Sequence, residues 1–361
     1  MSYLLAFLGF AALIILHEAG HFAAAKAVGM RVERFSLFFG PMLVKFRRGE
    51  TEYGIGPIPA GGYVKITGMN PNEEIPPEVL PRAYYNQPVW KRVVVILAGP
   101  AVNLLIAFGL IMAIAWSNGE AVTSHGQLQY QIDQPTFPGS QYLRSGDRIV
   151  AVDGRQHLSG VQITEQIGSH HCAGAPVAGC VAKAPVRMVV LRGKQRLGFT
   201  IYPRYDAAAK RVRVGFALAP QLHSIGPARA ASTSVSEMWF VTRSTVSTIA
   251  KLFEPKVRSQ LHGIVGGFKV TQQRFAFDTT EALYTLALIS LSLAVINLFP
   301  FLPLDGGHIF WALAEKVRGR RIPFAVMERA GVVGFALVLL IFVIGLSNDI
   351  STLAGPGFPT R

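Results

Sequence analysis

His17-Glu18-Ala19-Gly20-His21 sits inside an apolar run of the chain. On a helix, positions four apart share a face, so both imidazoles can reach one metal ion. Zinc takes N, O or S donors at about 2.0–2.3 Å, and a catalytic site keeps one position for water. Glu18 then lies beside the metal, where a carboxylate can take a proton from that water. Two chance histidines on a helix are the plain alternative. Three ionisable groups in an apolar span are costly, however, and point to function.

Two protein ligands are fewer than the usual three of a catalytic zinc. A third candidate is Asp305, in the run Asn297-Leu298-Phe299-Pro300-Phe301-Leu302-Pro303-Leu304-Asp305-Gly306-Gly307. Pro300 and Pro303 break a helix, and Gly306-Gly307 lets the backbone turn tightly. Unwound backbone at membrane depth is tolerated where it is buried in protein or lines a wet cavity. Read alone, Asp305 serves equally as a cap for the next helix; read with the first motif, it is a metal ligand. Depth agrees. His17 lies about 14 residues beyond Tyr3, roughly 21 Å along a helix, in a hydrocarbon core of about 30 Å. Asp305, at the end of another apolar run, reaches a comparable level.

The elements that must hold these residues are apolar helices. Of 361 residues, 50% are hydrophobic and 16% charged, against about 25% charged in soluble domains. Four runs, 3–25, 93–116, 282–301 and the shorter 330–346, suit bilayer spans of about 20 residues. The first lacks a basic leading region and carries ionisable groups, so it reads as a retained span rather than a cleaved signal peptide. The net charge is +14. The basic residues flank apolar runs and no nucleic-acid motif is present, which favours a membrane surface over nucleic acid. Lys26, Arg31, Arg34, Lys45, Arg47, Arg48, Lys91, Arg92, Lys316, Arg318, Arg320 and Arg321 lie in the short flanks. By the positive-inside rule these flanks are cytoplasmic. Both termini and residues 117–281 are then extracytoplasmic, with the metal toward the cytoplasmic side.

The predicted fold is a polytopic α-helical membrane protein with about four transmembrane helices. Residues 36–46 and 52–58 read as strands, 59–62 as a turn, and 63–66 as a resumed strand. Together they form a small β-hairpin or sheet on the cytoplasmic side, followed by an exposed loop at 71–81. An inserted α+β domain has strands at 148–152, 186–191 and 197–202, turns at 153–154 and 193–194, and a short helix at 160–167. Residues 237–253 read as an amphipathic interfacial segment. The division is 1–117, 118–220, 221–281 and 282–361. Cys172 and Cys180, beside His170 and His171, are too few for a disulfide scaffold. A disulfide, favoured by an oxidising exterior, stands beside a metal clasp and free thiols as the readings of this pair.

These motifs together resemble the site-2 protease family of intramembrane zinc metalloproteases, in the bacterial PDZ-containing branch that includes the regulator of sigma-E protease. His17 to His21 matches its first motif. Asn297 to Gly306 is similar to its second, NxxPxPxLDG, except that the second proline falls one residue late, at Pro303. Residues 56–64 resemble its membrane-associated β-loop, residues 98–103 the start of its second span, and residues 143–154 the core of a PDZ domain. The resemblance implies Zn2+ held by His17, His21 and Asp305, with Glu18 as catalytic base. It leaves Asn297 either at the substrate backbone or helping the oxyanion, or else in a helix-packing hydrogen bond. It implies that Tyr63, Val64 and Lys65 pair with an unwound substrate strand. The implied substrates are single-pass membrane proteins, such as anti-sigma factors already cut outside, or remnant signal peptides. The implied location is the bacterial inner membrane. The PDZ-like domain would dock a carboxy terminus, filter substrates by size, or only pack; the filter is favoured. Residues 237–253 and 263–267 are gate candidates by position. An inactive scaffold or a metal transporter are the competing classes; the intact Glu18 and the lack of repeat symmetry count against them.

Overall fold

The computed structural model describes residues 1–361 except 71–72, 125–126, 173, 208, 252–253, 259–262 and 356–361. Parts of the expected loop at 71–81 and of the segment 237–253 therefore lie outside the described residues. The chain forms two compact units, one of residues 1–114 with 231–361 and one of residues 115–230.

The first unit opens with α1 (Ser2–Ala27), followed by β1 (Val32–Phe39), β2 (Val44–Arg48), β3 (Thr51–Ile55) and β4 (Ile58–Ile66), then α2 (Val89–Asn118). These four strands form one sheet in the order β2-β3-β1-β4. β1 is parallel to β3 and antiparallel to β4. The sequence predicts one strand over 36–46; the structure has two, broken where Gly40 takes φ 101° beside Pro41. The strand expected at 52–58 stops at Ile55, before Gly56-Pro57, where proline has no N–H to extend the ladder. The turn expected at 59–62 is instead the interior of β4. Glycine is needed there for close approach: a Cβ on Gly62 would lie 2.9 Å from Glu18 Cγ and from the Ser36 carbonyl oxygen.

The second unit contains β5 (Glu120–Ala121), β6 (Thr123–Ser124), β7 (Gln127–Leu128), β8 (Tyr130–Asp133), β9 (Arg148–Val152), β10 (Arg155–Gln156) and α3 (Gly160–Gly168). It continues with β11 (Val186–Arg192), β12 (Gln195–Ile201), β13 (Arg204–Asp206), β14 (Arg211–Arg213), β15 (Ala217–Pro220) and β16 (Leu222–His223). The main sheet runs β12-β11-β9-β8-β15, all antiparallel. These strands bury Ile132, Ile149, Val152, Val186, Met188, Val190 and Ile201 against Ile163 and Ile167 of α3, and along β11 the buried residues Val186, Met188 and Val190 alternate. Ser159 and Gln162 close a capping box at the start of α3. Cys172 and Cys180 are joined by a disulfide, with Cα atoms 6.0 Å apart.

The chain returns to the first unit through α4 (Pro227–Ala250), followed by α5 (Pro255–Arg258), α6 (Ile264–Phe277), α7 (Thr279–Asn297), α8 (Asp305–Arg318) and α9 (Phe324–Ala354). Among the described residues, four helices, α1, α2, α7 and α9, are long and apolar enough to cross a membrane. Their outward faces are apolar, as at Leu105, Val332, Val333 and Phe335. In water such patches would be a liability; in a bilayer they meet lipid. The third span ends at Asn297, short of the expected 301, because the backbone unwinds before Pro300. The fourth is not the shortest but a 31-residue helix. It continues through Asp349, which is buried and accepts the backbone N–H groups of Gly263 and Gly266 at 2.8–3.1 Å.

Candidate metal centre

α1 carries His17 and His21 four residues apart, and both are 7% exposed. α2 crosses α1 closely at this level. A Cβ on Gly20 would lie 2.6 Å from the Ala98 carbonyl oxygen, and a Cβ on Gly99 would overlap the His21 ring. Two glycines therefore set the helix separation at which His21 fits. Ala25, Met30, Val32, Ile66, Val95 and Ile96 form a buried cluster that ties the end of α1 to the sheet and to α2; Ile309 of α8 packs against it.

α7 stops at Asn297, and residues 298–304 form an irregular bridge to α8. The bridge wraps over the first turn of α8. A Cβ on Gly306 would overlap the Leu298 and Phe299 carbonyl oxygens, and one on Gly307 would lie 2.5 Å from the Leu302 nitrogen. Asp305 is the first residue of α8. Its Oδ2 stands 3.3 Å from His17 Nε2 and 3.4 Å from His21 Nε2, and the two Nε2 atoms are 3.3 Å apart. Asp305 Oδ2 is buried and receives no hydrogen bond. The alternative reading of Asp305 as a solvated helix cap does not match this placement.

The donor set fits zinc. Three atoms spaced by 3.3–3.4 Å are three corners of a tetrahedron whose centre lies about 2.0–2.1 Å from each, the zinc–nitrogen and zinc–oxygen distance, with the fourth corner left over. An orphaned carboxylate oxygen facing two imidazole nitrogens is costly unless a cation is shared among them. The outer nitrogens are also engaged. His21 Nδ1 is 2.9 Å from the Val95 carbonyl oxygen, and His17 Nδ1 is 3.2 Å from the Asn103 side-chain amide. Asn297 Nδ2 lies 3.5 Å from His17 Nε2, at the edge of the same cluster.

Glu18, next to His17 on α1, lies near His17, His21 and Asp305 and packs against Gly62 and the backbone of Val64 on β4. Among the described residues, β4 pairs only with β1, so its second edge is open. Tyr63 stacks on Phe39 with ring centroids 6.2 Å apart. The Lys65 ammonium pairs with Glu33 and Glu73, each at 2.6 Å, and these hydrogen bonds raise its pKa above the ordinary lysine value. The Lys65 side chain is thus committed to its own network, and its backbone is what the strand edge offers. Cys172 and Cys180 belong to the other unit.

The chain matches Peptidase family M50 over residues 5–341. It is 34% identical over 345 residues to the zinc metalloprotease Rip1 of Mycobacterium tuberculosis, covering 84% of this chain and 83% of that protein. It is 31% identical over 353 residues to a provisionally named zinc metalloprotease of Nostoc sp., covering 94% of this chain and 93% of that protein. The chain belongs to peptidase family M50, the site-2 protease family. It is a membrane zinc metalloprotease.

Sequence reasoning assigned no role to Gly99, Val95 or Asn103. A signal for Asn103 was present: a carboxamide in the middle of an apolar span is expensive unless it has a partner.

Proposed function

We propose that the protein cuts peptide bonds within or beside the membrane-spanning segments of single-pass proteins, with His17, His21 and Asp305 as zinc ligands and Glu18 as general base. The observation that carries this reading is the donor triangle between α1 and the start of α8, two elements tied to apolar spans. Zinc, when bound, supplies Lewis-acid activation of water and of the scissile carbonyl. Glu18 would take the proton of the attacking water on its carboxylate and pass it to the leaving amine. Asn297, 3.5 Å from His17 Nε2, is positioned to donate to the substrate carbonyl oxygen as charge builds there. A helical peptide bond is shielded by its own hydrogen bonds, so the substrate must be extended. The open edge of β4 at Tyr63, Val64 and Lys65, beside Glu18, offers it strand pairing.

The unit of residues 115–230 is read as a PDZ-like domain that selects substrates already trimmed outside. Anti-sigma factors and remnant signal peptides fit that description. In the same reading the site faces the cytoplasmic side of a bacterial inner membrane, because the basic residues cluster in the flanks that include Lys91, Arg92 and Lys316.

The test uses detergent-purified wild type and Glu18→Gln with a single-pass reporter substrate. Both proteins should hold one zinc, and only the wild type should cut, at a bond that mass spectrometry places within or next to the apolar segment. Equal cleavage by both, or a cut far outside that segment, sinks the proposal. Zinc movement into vesicles without cleavage would mark a transporter instead.

A further inference from the structure

His17 and His21 occupy the donor triangle in the same way, yet their outer nitrogens meet different groups. A ligating imidazole gives one nitrogen lone pair to the metal, so its other nitrogen carries the hydrogen. For His21 that condition is met by the Val95 carbonyl, 2.9 Å from Nδ1, which can only accept. For His17 the atom 3.2 Å from Nδ1 is placed as the amide nitrogen of Asn103, a donor. A donor there would require the lone pair at Nδ1 and would put the hydrogen on Nε2, inside the triangle. In the same arrangement the Asn103 Oδ1 is buried with no hydrogen-bond partner.

One change resolves the conflict at His17. The two ends of a carboxamide are nearly the same shape, and a half-turn about the Cβ–Cγ bond exchanges them without moving a neighbour. The oxygen then receives a hydrogen bond from His17 Nδ1–H. The amide nitrogen then takes the buried place in which the oxygen had no partner. Asn103 has a fixed place from which to do this. It is 0% exposed, and its own carbonyl accepts the Ser290 hydroxyl of α7 at 2.9 Å.

We infer that Asn103 is a positioning residue for the metal site: its side-chain oxygen holds His17 in the Nδ1–H tautomer and so keeps His17 Nε2 free to ligate. This rests on His17 being a zinc ligand. Two measurements test it on the full chain in detergent. The first is long-range proton–nitrogen correlation of 15N-histidine-labelled, zinc-loaded protein, with His17 assigned by the signal lost in His17→Gln. His17 should show the Nδ1–H pattern; an Nε2–H pattern overturns the inference. The second is competition for zinc against a chelator. Asn103→Leu should weaken zinc by about 10- to 100-fold, and Asn103→Asp, which can only accept, should bind closer to wild type. Asn103→Leu binding as tightly as wild type, or a folded Asn103→Asp no better than Asn103→Leu, overturns it. If neither variant folds, the spectrum of the wild type decides alone. Failure of the underlying metal reading looks different: His17→Gln would then bind zinc as well as wild type.

Discussion

A methyl group at position 99 would fall on the His21 imidazole, whereas one at position 109 of the same helix meets nothing within 4 Å. The two glycines thus give opposite expectations for one substitution. Alanine is favoured over glycine in a helix by about 1 kcal/mol. Gly109→Ala should therefore leave zinc binding intact and hold or raise stability. Gly99→Ala must displace His21 or separate α1 from α2, and should lose zinc while keeping its helix content. Metal analysis with circular dichroism on both variants checks this. Retention of stoichiometric zinc by Gly99→Ala would contradict the account of Gly99 as the space for His21. Asp305→Asn belongs at the same scale: it removes the charge that opposes the cation and should weaken zinc while the fold persists.

At the level of elements, short polar networks hold the pieces in register. Glu50, in the β2–β3 turn, accepts two hydrogen bonds from Arg82 at 2.7 and 2.8 Å and one from Lys26 at 2.5 Å. Arg82 is the main reason that its pKa is lowered to about 2 from 4.5. A carboxylate whose folded pKa is depressed contributes stability that is present above the unfolded value and lost on the way down to the folded one. Glu50→Gln should therefore melt below the wild type at neutral pH, and the gap should narrow from about pH 4.5 to about pH 2. A gap that widens with acid would reverse the assignment. In the second unit, Asp147 is buried in the turn before β9. Burial pushes its pKa up, but the Arg192 guanidinium on both oxygens and the Arg144 N–H hold it below the ordinary value. Arg192→Met strands that charge. It should speed amide exchange in β9 and β11 of the full chain more than the double variant Asp147→Asn/Arg192→Met does, since removing both partners leaves no unpaired charge.

On the scale of the whole molecule, the metal site joins the start of the chain to its last third. His17 and His21 belong to the first span, Asp305 follows the third, and α6 and α9 are locked together by Asp349. A ligand that binds only the folded arrangement stabilises it by mass action, about 4 kcal/mol at a thousand times its dissociation constant. Chelation should therefore lower the thermal midpoint of the wild type in detergent. The midpoint of His17→Gln should not respond to chelator. An equal response in both would place the zinc contribution elsewhere.

The sequence alone was enough for whatever is local along the chain. Two histidines four apart with a glutamate between them face one side of any helix, and four apolar runs of sufficient length read as spans without knowledge of their neighbours. The strand at 148–152, its turn at Asp153-Gly154 and the hairpin after Val186 are local in the same sense. The tertiary structure decided what depends on approach. Pro59-Ala60-Gly61-Gly62 has turn chemistry but runs as a strand, because Gly62 passes Glu18 too closely for a side chain. Asp349 looks like the end of a span but lies inside one, because its charge is spent on the N–H groups that open α6. Asp305 was legible as a candidate ligand, but the folded bridge of residues 298–304 that brings its Oδ2 within 3.3–3.4 Å of His17 and His21 was not. The oxygen that fixes the His17 tautomer comes from Asn103 on another helix. Contacts between residues far apart in the chain leave no spacing for a sequence to show, and the groups that surround the three ligands are built from them.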